Sequence, residues 1–417
     1  MGHTLTEKIF ARAAGLPAVN AGDELMVRPD FVLAYDFSMT TTMFFRQMKE
    51  FKVDTVADPG RYGIFIDHFV PSNNAAAEAL HEETRGWCDT NNVDIYDRKG
   101  IGHQVAAEEG YATPGALIMH HDGHISQLGA YGALAFGVRR HLIESFVRDK
   151  VSMQVPETVR VDVEGTLGKG VMARDVFHHI VRVLGPSSCN FKVVEFGGSA
   201  IEAMSVDALQ TMTGLAMFLG AASAVVNPTG KVLAIALERA RKQIEPMTSD
   251  PDARYSARHT INIDGLEPIV VVPPHLHDTQ PLKNHVGLPL NSGYIGSCAG
   301  GRLEELEIAA RVLRGRKVRK GFSLNVVPSS QVIMKQAAER GFIADLIEAG
   351  AFVAGPTCDF CYGYQGALKA GQRVASTGTL NTPGRMGSVD SEIYLVNAAT
   401  VAASAIEGCL ALPQPYL

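Results

Sequence analysis

The chain has 417 residues, is 46% hydrophobic and 20% charged, and carries a formal net charge of -6 at pH 7. That length exceeds a single ordinary core and implies two or three domains. The acidic balance argues against a basic surface for nucleic acid, and 41 glycines suit an enzyme with many tight turns.

The N-terminal stretch MGHTLTEKIFARAAG reads as an amphipathic helix without the apolar core of a signal peptide. "DFVLAYD" (30–36) and "YGIFIDH" (62–68) are short apolar runs that end in polar residues. Such runs predict buried parallel strands with function at their carboxyl ends. "SNNAAAEALHEETRGWCDTNN" (72–92) has a helical period, "GALIMHHDGH" (115–124) is a strand entering a polar cluster, and 129–149 is expected to be helical. "TVRVDVEG" alternates with period two and opens a new unit near residue 151. The run 213–226, TGLAMFLGAASAVV, is too short for a membrane span and is expected to be a buried helix. A polar stretch at 242–259 closes this unit. A third begins with "TINIDGLEPIVVVPP", continues through helices at "EELEIAARVLRG" and "IMKQAAERGFIADLIEAGA", and ends with "SEIYLVNAATVAASAIEG". The class is α/β, with domains expected at 1–150, 151–256 and 257–417.

Histidines gather where strands end. "FIDHFVPSNN" carries Asp67 and His68, "GIGH" carries His103, and "HHDGH" carries His120, His121, Asp122 and His124. A carboxylate beside an imidazole fixes its tautomer and raises its basicity, as general acid–base work requires; the same residue types also bind metals. The six cysteines, at 88, 189, 298, 358, 361 and 409, are too sparse and irregular for a disulfide framework, which points to a reducing, cytoplasmic compartment. Cys298 precedes a helix, a setting that favours thiolate. Cys358 and Cys361 form a C-x-x-C in "GPTCDFCYGYQG". Three thiols fit an iron–sulfur cluster first, a zinc site with a further ligand second, and a redox pair third. "EGTLGKG" (164–170) lacks the spacing of a phosphate loop, and "RGRKVRKG" (314–321) reads as a solvated basic turn.

Taken in order, "VRPDFVLAYD", "IDHFVP", "GIGH", "HHDGHISQLGAYGALAFGV", "VVEFGGSAI", "GSCAGGRLEEL", "GPTCDFCYG" and "ASTGTLNTPGRMG" resemble the motifs of the aconitase superfamily, nearest to isopropylmalate dehydratase and homoaconitase large subunits. The resemblance implies three α/β domains around a [4Fe–4S] cluster, without the swivelling fourth domain. It implies Cys298, Cys358 and Cys361 as cluster ligands, with one open iron acting as a Lewis acid. Asp67, His68, Asp122 and His124 match positions near the leaving hydroxyl, His103 a position near iron-bound water, and Arg385 a carboxylate-binding arginine. The implied activity is a hydro-lyase on a small hydroxy acid, with a separate small subunit supplying the swivelling domain and no nucleic acid or membrane partner. A cluster- or zinc-binding regulatory or scaffold protein is the alternative.

Several substrate-facing positions depart from the family. Gly123 and Ile125 replace Ser and Thr, Gly214 and Phe218 stand where Asn and Glu are usual, Leu380 aligns with an arginine, and Tyr35 with a Gln or His position. Loss of an arginine together with its carboxylate suits a less charged substrate, such as an alkyl-substituted malate.

Overall fold

The computed structural model describes residues 2–35, 46–53, 55–56 and 58–417. Asp36, expected to close the first apolar run, lies outside the described residues. The chain groups into two compact units, one of residues 1–164 and 187–261, the other of 165–186 and 262–417.

The first unit contains a five-stranded sheet of β1 (Phe31–Tyr35), β2 (Tyr62–Ile66), β3 (Asp94–Asp97), β4 (Leu117–His120) and β5 (Leu134–Gly137). Its order is β3-β2-β1-β4-β5, and every pair is parallel. Every residue of β1, β2 and β4 is buried, which is why these strands read as continuous apolar runs rather than alternating ones. The helix Ala75–Asn91 starts where the Asn74 side chain accepts the Ala77 N–H at 2.9 Å, and stops at Asn92 in the left-handed conformation. A short antiparallel pair joins Glu24–Val27 to Val151–Gln154. A second sheet in this unit orders β6 (Thr158–Glu164), β7 (Val193–Gly197), β8 (Ser223–Val226) and β9 (Ala257–Asn262) as β8-β7-β6-β9. The buried positions of β6 alternate in the way its period-two pattern predicts.

Two sequence expectations fail here, and glycine is the reason both times. The stretch 129–149 is not one helix. A 3₁₀ helix, Gly123–Tyr131, ends at Gly132 with φ 79°, and the chain then enters β5 before a short helix at Leu142–Arg148. The stretch 213–226 likewise breaks: the helix Val206–Gly214 gives way to a 3₁₀ turn, Gly220 takes φ 78°, and β8 follows, paired with β7. Small apolar residues satisfy both periods, and a left-handed glycine decides where the direction changes.

The second unit holds a seven-stranded sheet of β10 (Ile269–Val271), β11 (Thr279–Pro281), β12 (Ser292–Ile295), β13 (Ser323–Val326), β14 (Phe352–Val353), β15 (Arg373–Ser376) and β16 (Glu392–Leu395). The order is β11-β10-β16-β15-β12-β13-β14. β12 to β16 are mutually parallel, and β10 with β11 adds an antiparallel edge. Read by order of appearance, the five parallel strands run third-second-first-fourth-fifth, as they do in the first unit. The helices Leu303–Leu313 and Ala398–Glu407 bury their alanine and leucine faces in the main core of this unit.

Candidate functional site

An open parallel sheet accepts ligands at the carboxyl ends of its strands, most readily where the strand order reverses. In the first unit that point lies between β1 and β4, whose last residues are Tyr35 and His120. Asp67 and His68 follow β2, His103 sits at the start of the helix after β3, and Asp122 and His124 follow β4. The structure therefore brings the sequence-predicted polar residues of this unit to one end of one sheet.

Two Asp–His pairs result. Nδ1 of His68 lies 2.6 Å from Oδ1 of Asp67, whose Oδ2 accepts the Gly102 N–H at 2.7 Å. Nδ1 of His124 lies 3.0 Å from Oδ1 of Asp122, which also accepts the His124 N–H at 2.6 Å. In the second pair the carboxylate holds the proton on Nδ1, so His124 Nε2 is the atom available to exchange one. Burial opposes charge on Asp122, but the neighbouring His124 and His103 imidazoles hold its carboxyl well below the usual range. His103 is buried with Nε2 3.8 Å from Asp122 Oδ1, and burial lowers its imidazole. Burial also pushes His121 down to about 4 and His120 well below its ordinary value. Tyr35 is packed among imidazoles, its ring centroid 5.2 Å from that of His68, 5.0 Å from His120, 5.9 Å from His121 and 6.2 Å from His103.

Gly214 ends the helix Val206–Gly214, which is stitched to the 3₁₀ helix after Asp122 through Ser126 Oγ to Thr213 O at 2.9 Å. Ile125 and Phe218 are buried. At Gly123 a Cβ would meet nothing within 4 Å, so no steric demand excludes a side chain there.

In the second unit the order reverses between β12 and β15, and the thiols lie at that end of the sheet. Cys298 follows β12, Cys358 and Cys361 follow β14, and Leu380 lies in the loop after β15. Ser297 holds a left-handed backbone at φ 74°, sparsely populated for a residue with a Cβ. Surrounding contacts impose it. Ser297 Oγ donates to Thr377 O at 3.1 Å, the Gly296 N–H donates to Thr377 Oγ1 at 2.8 Å, and the buried Arg302 guanidinium donates to the Cys298 carbonyl. Arg174 Nη2 donates to Thr377 O at 2.6 Å and Ala299 O at 3.3 Å; burial lowers this guanidinium to about 10.

Cys361 Sγ lies 3.3 Å from Arg385 Nη2 and 3.8 Å from Thr379 Oγ1. Burial works to raise its thiol, yet the Arg385 charge and these hydrogen bonds bring it below the ordinary value. Arg385 also stacks 3.5 Å over the Tyr362 ring. Thus the arginine expected to bind a carboxylate stands directly on a thiol. The buried Tyr294 is raised well above its ordinary value, by burial first and then by charge on Cys361, Cys358 and Cys298. All three are free of disulfides. The described residues contain no group of three or more His, Cys, Asp or Glu side chains that could hold a single metal ion.

The profile of the Aconitase family (aconitate hydratase) matches residues 7–291 and 283–408. The chain belongs to the aconitase family. It is 36% identical to the 3-isopropylmalate dehydratase large subunit 1 of Methanopyrus kandleri, with all of both chains covered. It is 35% identical to a probable methanogen homoaconitase large subunit of Methanothermobacter thermautotrophicus, over 98% of this chain and 97% of that one. Among solved structures, aconitase X of Thermococcus kodakaraensis superposes with a TM-score of 0.51 at 11% identity, covering 85% of this chain and 84% of that one, a likeness of fold. Among the described residues of this family member, no helix is long and apolar enough to cross a membrane.

The sequence placed His120 and His121 in the polar cluster at the end of an apolar strand but gave neither of them a role of its own. Reading it missed Arg174 and Arg302. Nothing in helical periodicity announces an arginine that turns inward to hold loop carbonyls.

Proposed function

We propose that the chain is an iron–sulfur hydro-lyase that removes water from, or adds it to, a hydroxy acid such as an alkyl-substituted malate. The placement of Cys298, Cys358 and Cys361 on loops beyond the carboxyl ends of one parallel sheet carries this reading, in a chain that matches 3-isopropylmalate dehydratase large subunits along its whole length. In it those thiolates hold a [4Fe–4S] cluster, whose open iron supplies Lewis acidity toward the substrate hydroxyl when the cluster is bound. Arg385 keeps Cys361 as thiolate, while Arg174 and Arg302 hold the backbone that presents Cys298.

The Asp–His pairs supply proton transfer. Hydroxide is a poor leaving group, and a positioned imidazolium that protonates it contributes roughly 10²–10⁴-fold. His124 gives or takes this proton at Nε2, since Nδ1 is held by Asp122, and the Asp67 carboxylate stands beside His68 as its charge partner. His103, kept neutral by burial, orients water. Tyr35 contacts the substrate, Gly123 leaves it room, and the half-buried Leu380 stands in place of an arginine. These features favour a less charged acid than one held by two arginines. The name "large subunit" borne by the relatives supports a separate small subunit as partner.

Anaerobic purification tests the reading. A brown protein with absorbance near 400 nm that gains activity with ferrous iron and turns over hydroxy acids is expected, with or without a candidate small subunit added. Cys298→Ser should lower iron and sulfide content and abolish turnover. A colourless wild-type protein with stoichiometric zinc would overturn the reading.

A further inference from the structure

His120 has a place in the fold that its neighbours' roles do not use. It is the last residue of β4, fully buried, beside the point where the strand order of the first sheet reverses. Its ring lies 5.0 Å from those of both Tyr35 and His103. The backbone N–H of Asp122 donates to its Nδ1 at 2.9 Å. A ring nitrogen that accepts a hydrogen bond carries no proton, so the neutral ring has its proton on Nε2. That Nε2–H is buried and, among the described residues, has no hydrogen-bond partner. Among the described residues, the Asp67 carboxylate accepts the Gly102 N–H and the Asp122 carboxylate is engaged by His124. A buried donor without an acceptor is costly, and at the carboxyl ends of an open parallel sheet, where ligands bind, a ligand oxygen is the acceptor that would satisfy it.

We propose that His120 is a substrate-contacting residue, a neutral imidazole whose Nε2–H donates to a carboxylate or hydroxyl oxygen of the hydroxy acid. This rests on the hydro-lyase reading above and adds to it a residue that sets affinity without adding charge. A lysine or arginine at the end of β4 would bring a cation among His103, His121 and His124. A neutral donor grips the oxygen and leaves the proton transfers of those imidazoles unperturbed. The Asp122 N–H makes this possible, because it excludes the other tautomer.

Two substitutions separate the two nitrogens of the ring. His120→Asn keeps an acceptor for the Asp122 N–H but has no distal donor. His120→Gln keeps a donor at the distal position. With the holoenzyme, H120N should raise KM for 3-isopropylmalate, or for whichever hydroxy acid is turned over, by about 10- to 100-fold with kcat within about threefold, and H120Q should fall between it and wild type. Protein labelled with ¹⁵N-histidine gives an independent measurement: long-range ¹H–¹⁵N correlation should show His120 as the Nε2–H tautomer, and 3-isopropylmalate should shift its Nε2 resonance. An Nδ1–H tautomer, or H120N retaining the wild-type KM while H120Q loses stability, would overturn the proposal and leave His120 as a backbone brace. If the wild-type holoenzyme turns over no hydroxy acid yet 3-isopropylmalate shifts the Nε2 resonance, the contact stands and the hydro-lyase reading falls. Turnover with no shift and no change in KM has the opposite meaning.

Discussion

Acidification should weaken the fold through His121, by an amount that can be worked out. Burial lowers this imidazole from its ordinary 6.5 to about 4. The unfolded chain therefore binds a proton below about pH 6.5 that the folded chain refuses until about pH 4. Stability from this residue is complete above that range and lost as the pH falls through it, at about 1.4 kcal/mol per pH unit. Between pH 7.5 and pH 5 the loss is about 2 kcal/mol. For a chain of this size that corresponds to roughly 2–4 °C in the thermal midpoint. His121→Asn removes the titration. Its midpoint at pH 7.5 should lie below that of wild type because a buried ring is lost, but the gap should close by those few degrees at pH 5. Circular dichroism melts of both proteins across this range measure the gap. If it stays constant within about 1 °C while both midpoints are well defined, His121 is not held neutral by burial and the reasoning fails.

Other changes test the thiol site and the altered pocket. Arg174→Met removes the donor to the Ala299 carbonyl, while Thr377 O retains Ser297 Oγ; a loss of about 2 kcal/mol, read as a lower melting midpoint, is expected together with slower cluster incorporation. An unchanged midpoint and iron content would show that this guanidinium does not brace the loop. Arg385→Met removes the charge that favours the Cys361 thiolate, so in metal-free protein thiolate absorbance near 240 nm should appear at higher pH than in wild type. Gly123→Ser adds a side chain where a Cβ meets nothing, so the melting midpoint should stay within about 1 °C while relative kcat/KM shifts from alkyl-substituted toward unsubstituted malates. A large fall in stability would mean that the space is needed by the fold rather than by a substrate.

The strand ends were the most legible part of the sequence. "FVLAY" and "YGIFI" are apolar at nearly every position, so a buried parallel strand was the only economical reading, and the polar residues beyond Ile66 and His120 then had to lie at its carboxyl end. The stretches around Gly132 and Gly220 were illegible for a physical reason. Alanine, glycine and leucine fill a helix or a buried strand equally well, and the deciding fact is a positive φ at one glycine. Cys358 and Cys361 advertised themselves by spacing, but Cys298 joined them only through the family resemblance, because a shared sheet end is a tertiary arrangement that no local spacing encodes. The two buried arginines were hidden for the converse reason: Arg302 opens the helix Leu303–Leu313 and in sequence looks like an exposed polar start.

The strand order that occurs in both units bears on how this chain tolerates change. One scaffold is used to display nitrogen and oxygen donors in one place and sulfur in another, the hard and the soft halves of a ligand repertoire. Each set sits on loops beyond the last hydrogen bond of its own sheet, so neither imposes its residue preferences on the other's framework. Hydroxyl, amide and alkyl side chains can be exchanged around Tyr35 and His120 while the frame that presents the thiols stays constant. On the proposed function, a lineage that drifts toward a new acid could then change the residues at one sheet end by single substitutions and keep its thiols in place.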